Sequence, residues 1–312
     1  MSKSAIIFPG QGSQSVGMLS ALAESHAEVK QTFEEASDCL GEDLWAMSQE
    51  GPAESLNQTI NTQPAMLAAG VAVWRVWQAQ NGATPVVMAG HSLGEYSALV
   101  ASGSLAFQDG IKLVRARGEL MQAAVPAGVG AMAAILGLDD DAVRKVCSDA
   151  AQGEVAEAVN FNSPGQVVVA GNADAIARAV DLAKEAGAKR ALLLDVSVPS
   201  HCSLMKGASE QLADAMAAIE MQKTDMPVIH NVNVQAAADA DEMKSLLAEQ
   251  LFKPVRWVET IGAMADDGVD TIIEAGPGKV LSGLGKRINR SLNSLPVIDP
   301  ASLEKALEAA NA

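Results

Sequence analysis

Residues 85–100 read PVVMAGHSLGEYSALV. The apolar run after Pro85 is strand-like, Gly90-His91-Ser92-Leu93-Gly94 is a tight turn, and the mostly apolar residues beyond it read as a helix. A Gly-x-Ser-x-Gly between strand and helix is a nucleophile elbow, because small residues permit a turn sharp enough to lift the serine hydroxyl off the sheet. The hydroxyl then lies near a helix N-terminus, where free N–H groups and the helix dipole favour developing negative charge. Outside this context the string is only a turn with a capping serine. Inside it, Ser92 is the candidate nucleophile and the Leu93 N–H one donor of an oxyanion hole.

Working outward, residues 4–8 read as a buried strand entering the Gly-rich turn PGQGSQ. That turn lacks the Lys of a phosphate-binding P-loop. Helices are expected over 19–40, 64–80 and 108–124, the second buried because it is apolar nearly all round. Residues 130–138, 139–151, 154–161, 166–170, 174–185 and 189–196 alternate as strand, helix, strand, strand, helix, strand. That βαββαβ order is the split ferredoxin-like unit. Beyond Pro199, helices are expected over 203–219, 241–251, 254–267 and a final 279–293, with strands over 228–234 and 270–274. The fold class is α/β: a hydrolase-like parallel-sheet large domain over 1–126 and 198–312, with an inserted ferredoxin-like small domain over 127–197.

With 49% hydrophobic and 19% charged residues, the 312-residue chain is globular, and aromatics at 3% leave the core to Ala, Val, Leu, Ile and Met. A net charge of −16 argues against nucleic-acid and anionic-membrane partners. Three cysteines, Cys39, Cys147 and Cys202, fit neither a zinc site nor a disulfide framework and suit a reducing compartment. The N-terminus lacks a signal peptide's apolar region, and no apolar run is long enough to span a bilayer, so a soluble cytoplasmic protein is expected.

Four histidines compete as the base for Ser92. His91 adjoins it, but consecutive side chains diverge on a tight elbow, leaving His91 a packing role. His26 lies in a polar helical stretch. His230 closes the run PVIHNVNV and reads first as a hydrogen-bonded core histidine. His201, between a strand broken at Pro199 and a helix near Ser203, can project toward a cleft, yet position alone does not separate this from an ordinary helix-entry histidine.

The blocks FPGQGSQ at the start, TQPA at 62–65, GHSLGEYSA, RARGELMQ at 115–122, NFNSPGQVVVAG at 160–171, VSVPSH at 196–201 and EAGPGKVLSGLGKR at 274–287 together resemble the malonyl-CoA:acyl carrier protein transacylase family. That family is similar to the acyltransferase domains of polyketide synthases. The resemblance runs in family order from residue 8 to residue 287 and implies the same two-domain fold. It implies His201 as base, its imidazole held by the main-chain carbonyl near Gln250 rather than by Asp195, with Asn231 close by. The Gln11 N–H becomes the second oxyanion donor beside Leu93. Arg117 receives the free carboxylate of a malonyl group, for which a planar guanidinium suits. Met121, one helical turn on, shares its face. Gln63, Asn162 and Asn231 join the substrate-binding set.

The implied reaction passes malonyl from malonyl-CoA to a phosphopantetheine thiol of acyl carrier protein through a malonyl-serine, with no resident cofactor or metal. A monomer is implied as well. Both partners are anionic, like the chain itself, so cationic residues must be concentrated somewhere. Lys279, Lys286 and Arg290 recur at helical spacing, Lys189-Arg190 form another pair, and Lys286 with Arg287 is the candidate docking surface. Three rivals stand beside this reading: a stand-alone polyketide-type acyltransferase, an acyl hydrolase with the same Ser–His chemistry, and an idle scaffold. Arg117 argues against the hydrolase, and an intact Ser92, His201 and Arg117 against the scaffold.

Overall fold

The computed structural model describes residues 3–126, 128–196 and 198–312; Ala127 and Ser197, where the expected domain borders fall, lie outside the described residues, as do Met1 and Ser2. In chain order the elements are β1 (Ser4–Phe8), α1 (Ser20–Ser25), α2 (Ala27–Leu40), α3 (Leu44–Glu50), α4 (Ala53–Leu56), α5 (Thr59–Ala79), β2 (Val87–Gly90), α6 (Gly94–Ala101) and α7 (Phe107–Ala124). Then come β3 (Gly130–Leu136), α8 (Asp140–Ala151), β4 (Ala156–Ser163), β5 (Gln166–Asn172), α9 (Ala173–Glu185) and β6 (Arg190–Leu193). A 3-10 turn (Ser203–Met205) leads into α10 (Lys206–Met216), β7 (Val228–Ile229), α11 (Ala240–Gln250), α12 (Trp257–Asp266), β8 (Thr271–Ala275), α13 (Val280–Ile288), β9 (Asn293–Val297) and α14 (Pro300–Asn311).

Sheet order β7-β2-β1-β8-β9, with every pairing parallel, forms the large domain. Central β1 is buried throughout, as a parallel strand covered on both faces should be. Its alternation sends Ile6 and Phe8 into a core with α2, α5 and α7, and Ala5 and Ile7 into a second core with α12 and α13. Helix α5 lies almost wholly inside, which is why it is apolar all round.

The second sheet is antiparallel, in the order β4-β5-β3-β6. Helices α8 and α9 cover one face through Val143, Val146, Ile176 and Ala179. The other face puts Met132, Val159, Val168 and Ala170 against Cys202 of the large domain. Backbone bonds from Phe161 N to Val255 O (3.0 Å) and from Val255 N to Val159 O (2.8 Å) stitch the two sheets' domains together. The molecule is a parallel α/β domain carrying a βαββαβ antiparallel domain, as the element order implied. Among the described residues no helix is long and apolar enough to cross a membrane.

Several local expectations need correction. The final helix expected over 279–293 stops at Ile288, and β9 and α14 follow it. Lys279 and Arg290 therefore fall outside α13 and do not share a helical face with Lys286. Pro296 disguised β9, yet on the edge strand a missing N–H is tolerated. Helix α14 carries a legible start: Asp299 and Ser302 form a reciprocal capping box, with Pro300 in the first turn. The expected strand over 228–234 ends at Ile229, and the helix over 19–40 breaks at an extended His26. Helix α5 begins at Thr59, before Pro64, a residue that in sequence imitates a helix start.

Candidate active site

Ser92 sits between β2 and α6 with φ 54°, a left-handed backbone that costs an L-residue about 1–2 kcal/mol. The turn is tight enough that a Cβ on Gly90 would lie 1.9 Å from the Gly94 carbonyl carbon, and one on Gly94 would lie 2.0 Å from Phe8 O. Asn231 braces the turn from below: Oδ1 accepts from Ser92 N (2.7 Å) and Nδ2 donates to Gly90 O (2.7 Å). Buried Glu95 holds that brace, accepting from Asn231 N (2.8 Å) and facing His230 Nδ1 (2.7 Å). Glu95 was not singled out in the sequence; its signal was an acid in the first turn of an otherwise apolar elbow helix.

His201 Nε2 lies 2.7 Å from Ser92 Oγ, and its Nδ1 lies 2.7 Å from the main-chain oxygen of Gln250. A carbonyl can only accept, so Nδ1 carries the proton and Nε2 presents a lone pair to the hydroxyl. Burial, then the Arg117 charge, push the His201 pKa down to about 3, so the imidazole is neutral at neutral pH. Asp195 is exposed and has no part in this arrangement. His91 turns away from Ser92, its Nε2 2.8 Å from Asn162 Oδ1 and its ring edge-on to Trp257. His230 is the buried, hydrogen-bonded core histidine just described, and His26 stays half-buried at the break between α1 and α2.

Arg117 is only 1% exposed and meets neutral acceptors: Gln63 Oε1 at 3.0 Å, Gln250 Oε1 at 3.0 Å and Ser92 Oγ at 3.4 Å. Its guanidinium stands 5.5 Å over the Tyr96 ring, and among the described residues its Nε has no hydrogen-bond partner. Arg115 points elsewhere, pairing with Glu42. A buried cation without a bonded carboxylate is costly and favours any anion that reaches it.

These groups open on one cleft of about 110 Å³, lined by Gln11, Ser92, Leu93, Arg117, Met121 and His201, with Met132 and Asn160 from the small domain. That is well below the roughly 300–1,000 Å³ of drug-sized pockets and suits a short acyl group. Among the described residues, neither the Gln11 nor the Leu93 N–H donates within the protein; the Gln11 side chain is held by Thr59 Oγ1 at 3.4 Å. The arrangement supplies a hydroxyl, a neutral base, two uncommitted N–H donors and a cation.

Gln63, Asn162 and Asn231, expected to touch substrate, do not line the cleft; they hold Arg117, His91 and the elbow respectively. Gln250 likewise acts from behind, through His201 and Arg117. Asn160, two residues before the expected Asn162, does line it, and its Oδ1 has no hydrogen-bond partner among the described residues. The two register shifts in β4 obscured which asparagine faces inward. Lys286 and Arg287 are exposed and lie outside the cleft's lining. Arg287 donates to Gln166 Oε1 (2.8 Å) and shares a shallow notch with Lys189, bringing together two cationic segments far apart in sequence.

A family model described as an acyl transferase domain matches residues 5–303. The malonyl CoA-acyl carrier protein transacylase of Escherichia coli is 53% identical over 308 residues, covering 99% of this chain and 100% of the relative. That of Haemophilus influenzae is 57% identical over 309 residues, covering 99% of both. The crystal structure of an acyl carrier protein S-malonyltransferase from Vibrio cholerae superposes with a TM-score of 0.95 at 60% identity, over 97% of this chain and 99% of that one. A malonyl-transacylase solved in complex with its type II polyketide acyl-carrier protein gives 0.97 at 54% identity, over 98% and 99%. On this evidence the chain belongs to the acyl transferase domain family, among the malonyl CoA-acyl carrier protein transacylases.

Proposed function

We propose that this chain moves the malonyl group from malonyl-CoA to the phosphopantetheine thiol of acyl carrier protein, in the cytoplasm, supplying fatty-acid synthesis. Ser92 Oγ attacks the thioester carbonyl while His201 Nε2 takes its proton. The Gln11 and Leu93 N–H groups receive the oxyanion, a contribution of about 10²–10³ in rate per donor. As the tetrahedral intermediate collapses, His201 returns the proton to the departing thiol, leaving malonyl-Ser92. The carrier thiol repeats these steps in reverse, so the kinetics are ping-pong. No resident cofactor enters the scheme.

The observation that carries this reading is the buried Arg117 guanidinium, 3.4 Å from Ser92 Oγ and, among the described residues, bonded to no carboxylate. A malonyl carboxylate completes it; an acetyl group cannot. Donor competition tests the reading: Arg117→Ala should abolish the preference for malonyl-CoA over acetyl-CoA, and equal losses on both donors would remove it. Measuring transfer against free-acid release in the same assay separates a transacylase from a hydrolase.

Arg287 and Lys189 line one notch, and with exposed Lys286 they are the positive charge offered to an acidic carrier protein. Reversing Lys286 and Arg287 to Glu should raise the carrier KM and flatten its salt dependence; unchanged salt dependence discards that surface. The polyketide-type assignment is favoured by one finding, the similarity to a transacylase bound to a polyketide carrier protein. Location in a reducing compartment is supported by the free cysteines Cys39, Cys147 and Cys202.

A further inference from the structure

Arg117 is held by two glutamines whose amides are each fixed in orientation. Gln63 Oε1 accepts from one guanidinium nitrogen (3.0 Å) while its Nε2 donates to Met121 Sδ (3.4 Å). Gln250 Oε1 accepts from the other (3.0 Å) while its Nε2 donates to Ser92 O (3.1 Å). Neither amide can flip without facing a donor with a donor. Both side chains are 1% exposed or less, so water does not compete for these bonds. Glutamate has nearly the same shape as glutamine at either position and would be the obvious buried partner for an arginine. The chain instead uses neutral acceptors on both sides.

We propose that Gln63 and Gln250 are positioning residues that set acyl selectivity: they aim the guanidinium at the acyl-binding space while bonding no carboxylate to it, so that only an anionic acyl group completes the site. This rests on Arg117 being the receptor for the acyl carboxylate. Gln250 has a second task, since its main-chain oxygen holds His201 Nδ1 at 2.7 Å. One residue thereby ties the base, the nucleophile's backbone and the cation into one unit. Gln63 touches neither reacting residue and reports on the cation alone.

The test measures kcat and KM with malonyl-CoA and with acetyl-CoA for Gln63→Glu, Gln250→Glu and Arg117→Ala, using holo acyl carrier protein as acceptor. A carboxylate built in at position 63 occupies the cation permanently. It should lower malonyl kcat/KM by about 100-fold or more, the scale on which buried charge pairs act, while acetyl transfer persists. Persisting acetyl transfer also certifies that the variant is folded with a working Ser92–His201 pair. Gln250→Glu should shift the ratio the same way, with an added loss on both donors because it forfeits the bond to Ser92 O. An equal fall on both donors in Gln63→Glu, or an unchanged ratio, overturns the proposal. If Arg117→Ala itself leaves the malonyl preference intact, the fault lies in the carboxylate-receptor reading. If Arg117→Ala removes the preference and Gln63→Glu does not, that reading stands and the role of the glutamines is refuted.

Discussion

Ser92 Oγ and His201 Nε2 stand 2.7 Å apart, and both residues hold left-handed backbone, with φ 54° and 67°. Each conformation is unfavourable for an L-residue, and each is held by buried bonds: Ser92 N to Asn231 Oδ1 at 2.7 Å, and His201 N to Leu251 O at 2.8 Å. Leu19, Asn81, Gln152 and Val234 share this left-handed backbone elsewhere, but only here, among the described residues, do two such residues face each other across a reacting contact, and functional sites are a common location for such strain.

Relief of that strain is measurable. Both Ser92→Ala and Ser92→Gly lose the hydroxyl and should lose acyl transfer. Glycine adopts positive φ freely, so Ser92→Gly should be the more stable of the two by about 1 kcal/mol in denaturant titration. Equal stabilities would mean that the turn is unstrained.

Arg117→Met should cost both activity and stability. Removing the buried cation at similar volume relieves its desolvation but leaves Gln63 Oε1 and Gln250 Oε1 buried without a donor, at about 1–3 kcal/mol each, so unfolding free energy should fall. The same change should cost malonyl transfer about 100-fold or more and spare acetyl transfer. A more stable Arg117→Met protein would mean that the burial cost of the cation outweighs the bonds its two glutamine partners lose.

The pH dependence follows from His201, whose pKa lies below its ordinary value of 6.5, at about 3. Below pH 6.5 the unfolded chain binds a proton that the folded chain refuses. The stability the native state owes to a neutral His201 is thus complete above 6.5 and lost as pH falls toward 3. Relative to His201→Gln, the wild type should lose about 1.4 kcal/mol per pH unit across that window. Because the Arg117 charge is the second cause of the depression, Arg117→Met should move the acidic limb of acetyl transfer to higher pH. A limb that stays in place would dismiss that coupling.

Asn231→Ala tests the brace. It leaves Ser92 N and Gly90 O buried without partners, at about 1–3 kcal/mol each. Stability should fall by about that sum and kcat should fall on both donors alike, since the nucleophile rather than the cation is displaced. A selective loss on malonyl would reassign Asn231 to the carboxylate.

The elbow was legible because a strand, a small-residue turn and a helix must coincide to make one. The small domain was legible from its βαββαβ rhythm. Chemistry in the cleft was legible only as residue types: Ser92 from local pattern, His201 and Arg117 from their resemblance blocks. What sequence did not carry was which polar groups face each other. Gln63 and Asn162 hold other side chains and Asn231 holds the elbow's backbone, rather than lining the cleft, and the Glu95–His230 contact spans 135 positions. Such pairings arise when β7 docks beside β2 and α11 packs near the elbow, and no local periodicity encodes that. The chain's end was misread for the opposite reason, because Pro296 and Pro300 masked a strand and a helix that local rules accommodate.

The most direct measurement is the mass of the Ser92 peptide after malonyl-CoA is supplied with no acceptor and the protein is quenched in acid. A malonyl ester should be found on that peptide in the wild type and be missing in Ser92→Ala. An unmodified peptide from enzyme that still passes malonate to the carrier would contradict the covalent route.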